Sequence, residues 1–171
     1  TAHSFYIVSD SAEINLTNSN VNSTGSFAYG VYSASTDHLY ISGNNFSASG
    51  NNGYGIYASS ISSLRVEENN ISVTDLEGYG VYLEDSLNSV LRGNWVFSSA
   101  NNGYGIYILQ GSNFANLTDN HVRVQKESIT AIQLEEISGF NLENNNVNGE
   151  GELSYGISLL DSDSGTVENN V

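Results

Sequence analysis

Short alternations of apolar and polar residues recur along the chain in groups of three. The first of each group is typified by Ile56-Tyr57-Ala58 and Val81-Tyr82-Leu83, whose outer two residues share a face. The second lies ten to twelve residues on, as Leu39/Ile41, Leu64/Val66 and Phe140/Leu142, with small Ser89 or Ala115 at its first position in other copies. The third follows five residues later, as Phe46/Ala48, Ile71/Val73 and Val122/Val124. Alternation with a period of two over three to five residues predicts a strand. No stretch is long enough for a crossover helix between parallel strands.

The groups keep a fixed period. "NNGYGIY" occurs at 51–57 and 101–107, with "FAYGVY" at 27–32 and "EGYGVY" at 77–82. Tyr29, Tyr54, Tyr79 and Tyr104 follow one another at 25 residues; Thr130 comes 26 after Tyr104, and Tyr155 25 after that. Counting back from Tyr29 places Ser4 in the same slot. One inserted residue in the fifth repeat accounts for the 26, and about seven repeats result. A repeat that cannot bury its own apolar face must stack on its neighbours. Three short strands per repeat predict an all-β, single-stranded parallel β-helix forming one domain over 1–171, with coils about 4.8 Å apart and a rod about 34 Å long.

Three inward ladders are expected. One runs Tyr6, Val31, Ile56, Val81, Ile106, Ile132, Ile157; the second Leu16, Ile41, Val66, Leu91, Leu117, Leu142, Val167; the third Val21, Phe46, Ile71, Val96, Val122, Val147, Val171. Between the second and third strands lies an Asn pair. Its first position reads Ser19, Asn44, Asn69, Asn94, Asn120, Asn145, Asn169, and its second Asn20, Asn45, Asn70, Trp95, His121, Asn146, Asn170. Asn tolerates the left-handed backbone of a sharp corner. Stacked once per coil, its amide also donates to one neighbouring copy and accepts from the other. The ladder is read as structural. The recurrent Gly30, Gly55, Gly80, Gly105 and Gly156 are expected outside the strand or at its start, marking a bend or a close backbone approach.

The "GYGIY…NN-[IVF]" coils resemble the pectin-lyase-like right-handed β-helix superfamily and, more narrowly, NosD-like periplasmic proteins and archaeal surface and adhesin-like repeat proteins. The resemblance covers nearly all of 4–171 and implies the fold and its right-handed coil; lyases, hydrolases, epimerases, adhesins and inert scaffolds share such repeats.

Composition narrows the partners. Four Lys+Arg against 19 Asp+Glu give a net charge of −15, which argues against nucleic acid and anionic lipid. A solvated self-repelling surface, adaptation to salt, and scattered cation sites are the three readings of that acidity. With no Cys, disulfides and thiolate metal sites are excluded. With no Met, the chain reads as a mature or excised segment, consistent with a removed secretory signal and an extracellular or cell-surface location. No apolar run approaches the roughly 20 residues that span a membrane.

Candidate chemistry is sparse. Enzymes of the resembled superfamily cluster carboxylates on one face, and many of the lyases use Arg or Lys as base. Here Arg65, Arg92 and Arg123 occupy three different slots of the repeat and predict no patch, and Lys126 is the remaining base. The paired aspartates with a following His-Gly of the polygalacturonases and the Asp-Pro-His of the epimerases do not occur. His3, His38 and His121 are too dispersed for one metal or a triad. A column of Asp85, Gln110, Glu136 and Asp161, with Asp163 beside it in Asp161-Ser162-Asp163-Ser164-Gly165, is a calcium candidate, against the plainer reading of exposed turn acids. Tyr32, Tyr57, Tyr82 and Tyr107 form an outward ladder that either stacks for stability or contacts sugars or another rod. Asn15, Asn22, Asn45, Asn70 and Asn116 head glycosylation sequons at a chance frequency, and the Thr ranks of an ice-binding face are missing.

Residues 1–3 are too few to cap the coil, and the last coil stops at Val171, so either a longer solenoid or other copies are expected to cover the ends. The sequence therefore points to a non-enzymatic extracellular structural rod, stacking head to tail with itself into a filament or sheath or joined to adjoining domains as an adhesin module. The alternative is a β-helix that binds or cleaves cell-surface polysaccharide.

Overall fold

The computed structural model describes residues 2–9 and 13–171. The first coil carries β1 (Ala2–Val8), β2 (Glu13–Thr17) and β3 (Asn20–Thr24), and the second β4 (Phe27–Ala34), β5 (His38–Ser42) and β6 (Asn45–Ser49). The third holds β7 (Asn52–Ser59), β8 (Ser63–Glu67) and β9 (Asn70–Asp75), and the fourth β10 (Glu77–Glu84), β11 (Val90–Arg92) and β12 (Trp95–Ala100). In the fifth come β13 (Tyr104–Ile108), β14 (Asn116–Thr118) and β15 (His121–Val124), and in the sixth β16 (Thr130–Glu135), β17 (Asn141–Glu143) and β18 (Asn146–Gly149). The seventh contributes β19 (Tyr155–Leu160) and β20 (Thr166–Glu168). Every third strand pairs in parallel, giving two seven-stranded sheets and one six-stranded sheet wrapped round a common core. The 25-residue coil is thus a β-solenoid of six full turns and two strands of a seventh.

The second ladder holds throughout: Leu16 pairs with Ile41, Ile41 with Val66, Leu91 with Val66 and Leu117, and Leu142 with Leu117 and Val167. In the first ladder the base is different. Phe5, not Tyr6, lies under Val31, because the first turn also has 26 residues in this register; Tyr6 pairs with Tyr32 and is 64% exposed. His3 rather than Ser4 therefore lies under Tyr29. At the other end, the pairing of Leu142 with Val167 and Glu143 with Glu168 fixes the phase. One step further, Asn145 meets Asn170 and Val171 falls in the slot of Asn146, not of Val147. Asn169 accordingly leaves the ladder and Asn170 enters it.

Two further corrections concern the corners. Asn18, Gly43, Glu68, Gly93, Asp119, Asn144 and Asn169 have φ between 51° and 64°. The residue before each stacking Asn, not that Asn itself, makes the left-handed turn. Asn44, Asn69, Asn94, Asn120 and Asn145 are buried and serve a different purpose. Asn69, for example, donates from Nδ2 to the Ile41 carbonyl of the coil below at 2.9 Å and to Oδ1 of Asn94 above at 3.1 Å. Its own Oδ1 accepts the Asn44 backbone N–H at 3.0 Å. The same contacts continue up to Asn170.

Gly30, Gly55, Gly80 and Gly105 face inward rather than outward. A Cβ on Gly55 would lie 2.3 Å from Ile71 and 2.6 Å from the Gly80 carbonyl oxygen, so the backbone here is in contact with the third ladder. Gly55 and Ile56 are both buried in succession, which interrupts the alternation and turns Tyr54 and Tyr57, three residues apart, to the same outer side. That break positions the most unusual surface of the molecule.

Candidate functional site

Four coils in succession present two tyrosines each on the first sheet. Exact register brings like onto like: Tyr29, Tyr54, Tyr79 and Tyr104 form one column, and Tyr32, Tyr57, Tyr82 and Tyr107 the other. His3 extends the first column, stacked 4.8 Å from Tyr29, and Tyr6 the second, 5.1 Å from Tyr32. Ring centroids along each column are 4.9–5.1 Å apart from Tyr29 to Tyr79 and from Tyr6 to Tyr82, with planes within 8°. Rings touch at about 3.5 Å, so a step near 4.9 Å requires a tilt of about 45°. Opposite tilts in the two columns then make neighbours perpendicular, as observed at 88° for Tyr29–Tyr32, 89° for Tyr54–Tyr57 and 90° for Tyr79–Tyr82. The result is a herringbone whose ring faces lie on one another and whose edges and hydroxyls point out. Neighbouring chemistry along the chain accounts for the second column alone; the first follows only from the inward glycine.

The herringbone changes at the fifth coil. Tyr107 is at 80° to Tyr82 but only 21° from Tyr104, and its hydroxyl donates to Glu135 Oε2 at 2.6 Å. Thr130 and Gln133 follow where the next two rings would be.

Burial pushes the phenols of Tyr29, Tyr54, Tyr57, Tyr79, Tyr82, Tyr104 and Tyr107 above the ordinary value of 10.0; neighbouring phenols, Glu84 and Glu135 add to it. Below about pH 10 the phenols are neutral folded or unfolded, and their stabilising contribution is complete. Above it the unfolded chain ionises first, so stability falls as pH rises toward the folded values. Phenolate absorbance should therefore lag behind that of free tyrosine and rise together with loss of the β-sheet circular dichroism signal. Ionisation of all eleven tyrosines near pH 10 in a still folded protein would contradict this.

A second cluster occupies the outer face of the second sheet. Glu67 is 5% exposed and accepts from Arg65 Nη1 at 3.1 Å, Arg92 Nη2 at 3.5 Å and the Tyr40 hydroxyl at 3.2 Å. Arg65 is two residues away on the same strand face, and Arg92 pairs directly with Glu67 one coil on. The expectation that the arginines form no patch is thus corrected: different slots still meet when they are diagonal or same-face neighbours. Burying a carboxylate this deeply is costly unless it is paired and hydrogen-bonded, as it is here. Beside it opens a cavity of about 390 Å³ lined by Glu13, Asn15, His38, Leu39, Tyr40, Ser63 and Arg65. Arg123 is engaged elsewhere, in a two-pronged pair with Glu150 at 2.8 and 3.0 Å.

The calcium candidates keep to one column of corners, with Gln110 between Asp85 and Glu136, and Asp161 one coil beyond Glu136. Asp85, Glu136 and Asp161 take left-handed corner positions, with φ of 48°, 54° and 46°. Asp85 and Glu136 are two coils apart, about 9.6 Å along the rod. Asp163 is fixed by its backbone to Ser138 and Gly139. Among the described residues, no three acids or histidines come together as a metal site. His121 stacks on Trp95 at 3.9 Å in the outer Asn row, away from His3 and His38. Of the sequon residues, Asn15, Asn22, Asn45 and Asn70 are exposed and Asn116 is half-buried.

No curated protein matches the chain significantly. Among solved structures it is similar to a double mutant of the periplasmic alginate epimerase AlgG, at 15% identity and a TM-score of 0.60. That match covers 99% of this chain and 48% of the epimerase chain, so this chain spans about half its length. The model of the right handed beta helix region matches residues 2–147. With its three parallel sheets, in-register ladders and 25-residue turns, the chain belongs to the right-handed β-helix family.

Proposed function

We propose that the chain is a non-enzymatic structural rod of the extracellular space or cell envelope. The carrying observation is the double tyrosine herringbone: the outer rows of the first sheet are committed to side chains that hold successive coils together. Among the described residues, the corner acids Asp85, Glu136 and Asp161 come no more than one per turn, and no three acids or histidines gather at one point. A location outside the cytoplasm is supported by the cysteine-free acidic composition and by the periplasmic setting of the similar epimerase. Parallel coils join through a single repeated hydrogen-bonding step, which suits extension of the rod by further coils of a longer chain or by a second copy stacked head to tail. Electron microscopy of the purified protein over a range of concentrations should show rods that lengthen into filaments. Uniform short particles at every concentration would overturn self-assembly.

A second reading, action on or binding to a polysaccharide, is favoured by one observation: the cavity that places His38, Glu13 and Arg65 beside the clamped Glu67. The similar epimerase acts on alginate, a polysaccharide. Incubation with a panel of polyuronates, followed by absorbance of unsaturated sugar products, distinguishes the two. Product formation would replace the structural reading with an enzymatic one.

A further inference from the structure

We propose that Asn102 is a site of covalent self-modification, at which the folded chain loses one side-chain amide and gains a carboxylate. Asn52, Asn102 and Asn148 each precede a glycine. At such a pair the glycine backbone nitrogen reaches the Asn side-chain carbonyl carbon, because no Cβ stands in the way. A new C–N bond closes a cyclic succinimide while the bond to the side-chain NH2 breaks, and ammonia leaves carrying the proton of the glycine nitrogen. Water then opens the ring at either carbonyl. One opening gives aspartate and the other isoaspartate, in which the main chain runs through the former side chain. Water is the sole co-reactant, and nothing is oxidised or reduced.

The attack requires the Asn backbone to swing out of the extended conformation, so strand pairing opposes it. Asn52 lies in β7 between Phe27 and Glu77 of the adjoining coils, and Gly53 between Ala28 and Gly78. Asn148 lies in β18, where Gly149 pairs with Val124 and the Asn148 amide donates to Glu150 Oε1 at 3.2 Å. Asn102 differs from Asn52 although "NNGYGIY" surrounds both. It is exposed and precedes β13, whose pairing with the sixth coil begins only at Tyr104 and Thr130. The backbone N–H groups of Asn101 and Asn102 both donate to the Leu76 carbonyl, at 3.1 and 3.0 Å. Among the described residues, nothing accepts from the Gly103 N–H, so the attacking nitrogen has no hydrogen bond to give up. The new carboxylate also has a cation nearby. Asn102 and Lys126 line one cavity of about 430 Å³, together with Asn101, Glu127 and Ser128. The three arginines are ion-paired, and among the described residues Lys126 is not. The inference holds whether the rod is structural or enzymatic.

The test compares two copies of one phrase. The whole chain is held folded in mildly alkaline buffer, and a second sample is held in urea. Trypsin cuts after Arg65, Arg92, Arg123 and Lys126, which places Asn52, Asn102 and Asn148 in the separate peptides 1–65, 93–123 and 127–171. Tandem mass spectrometry then reads aspartate and isoaspartate at each site. In urea, Asn52 and Asn102 should react at equal rates, since their flanking sequence is the same. In the folded chain Asn102 should react at least about tenfold faster than Asn52 or Asn148, where a strand must open first. Asn102→Gln alters an exposed side chain, so it should fold as the parent does, and it should remove the product from peptide 93–123. Equal folded rates at Asn52 and Asn102, a faster rate at Asn52 or Asn148, no reaction at Asn102, or undiminished product in peptide 93–123 of N102Q would each overturn the proposal.

Discussion

Gly80→Ala should destabilise the protein by about 3 kcal/mol, an overpacking cost at the upper end of the usual range. A Cβ at this position would fall 2.3 Å from Val96 Cγ1 and 2.4 Å from the Gly105 carbonyl oxygen. One obstacle is a core side chain in the third ladder and the other is backbone of the next coil. The side chain alone would rotate at modest cost, but the carbonyl moves only if β10 and β13 separate. For a chain of this size, 1 kcal/mol is about 2–4 °C, so the melting temperature should fall by about 6–12 °C. The defect lies between the fourth and fifth coils, and coils couple to nearest neighbours. Urea unfolding of G80A should therefore become broader as well as earlier, with the two halves of the array losing their common transition. A sharp transition at the parent midpoint would show that the glycine is conserved through the repeats for some reason other than contact between coils. Ala131 takes the glycine slot in the sixth coil and is buried there, so that turn accommodates a methyl group where Gly55, Gly80 and Gly105 have none.

The parts of this fold that were legible in the sequence are those fixed by period alone. A 25-residue spacing carried through Leu16, Ile41 and Val66 leaves one register, and the second sheet follows it without exception. Phase was lost where a corner changes length. Between Ile7, which pairs with Ser33, and Glu13, which pairs with His38, the offset drops from 26 to 25, and no residue pattern in a polar corner announces that. The last coil failed for a different reason. Asn144, Asn145 and Asn146 stand in a row, and a following Asn169-Asn170 fits them at either of two offsets until Leu142 and Val167 are seen to pair. Buried chemistry was the least legible. Arg65, Glu67, Arg92 and Tyr40 look unrelated along the chain because their contacts run two residues along one strand and one coil across. The first tyrosine column was hidden in the phrase itself, since strict alternation places Tyr54 on the face of Ile56, and only the inward turn at Gly55 separates them.

The ladders also explain how so acidic a chain holds together with four basic residues. Its lateral cohesion comes from uncharged groups repeated at every step: amides on the inner corner, phenol rings on the outer face, aliphatic side chains between. Three carboxylates, Glu84, Glu135 and Glu67, are drawn into this scheme as acceptors for Tyr57, Tyr107 and Tyr40. Added salt should consequently stabilise the rod by relieving self-repulsion, with little to lose from its few ion pairs.

Asn94→Ala should cost about 3–5 kcal/mol, because two buried polar groups lose their partner at about 1–3 kcal/mol each and the side chain's packing goes with them. Asn94 Nδ2 donates to the Val66 carbonyl at 2.7 Å and to Asn120 Oδ1 at 3.0 Å, and its Oδ1 accepts from the Asn69 backbone N–H at 3.0 Å and from Asn69 Nδ2 at 3.1 Å. Alanine keeps the backbone N–H that donates to Asn120 Oδ1, but it strands the Val66 carbonyl and the Asn69 N–H in a corner that is 1–2% exposed. Asn94→Asp separates hydrogen bonding from volume. A carboxylate still accepts from Asn69 but cannot donate to Val66 or Asn120, and it faces Asn120 Oδ1 with like polarity. N94D should thus be at least as unstable as N94A at neutral pH and recover part of the loss in acid, where protonation restores one donor. Equal stability of N94A and the parent in thermal melts would mean that the ladder is ornamental and that the aliphatic core alone sets the stacking.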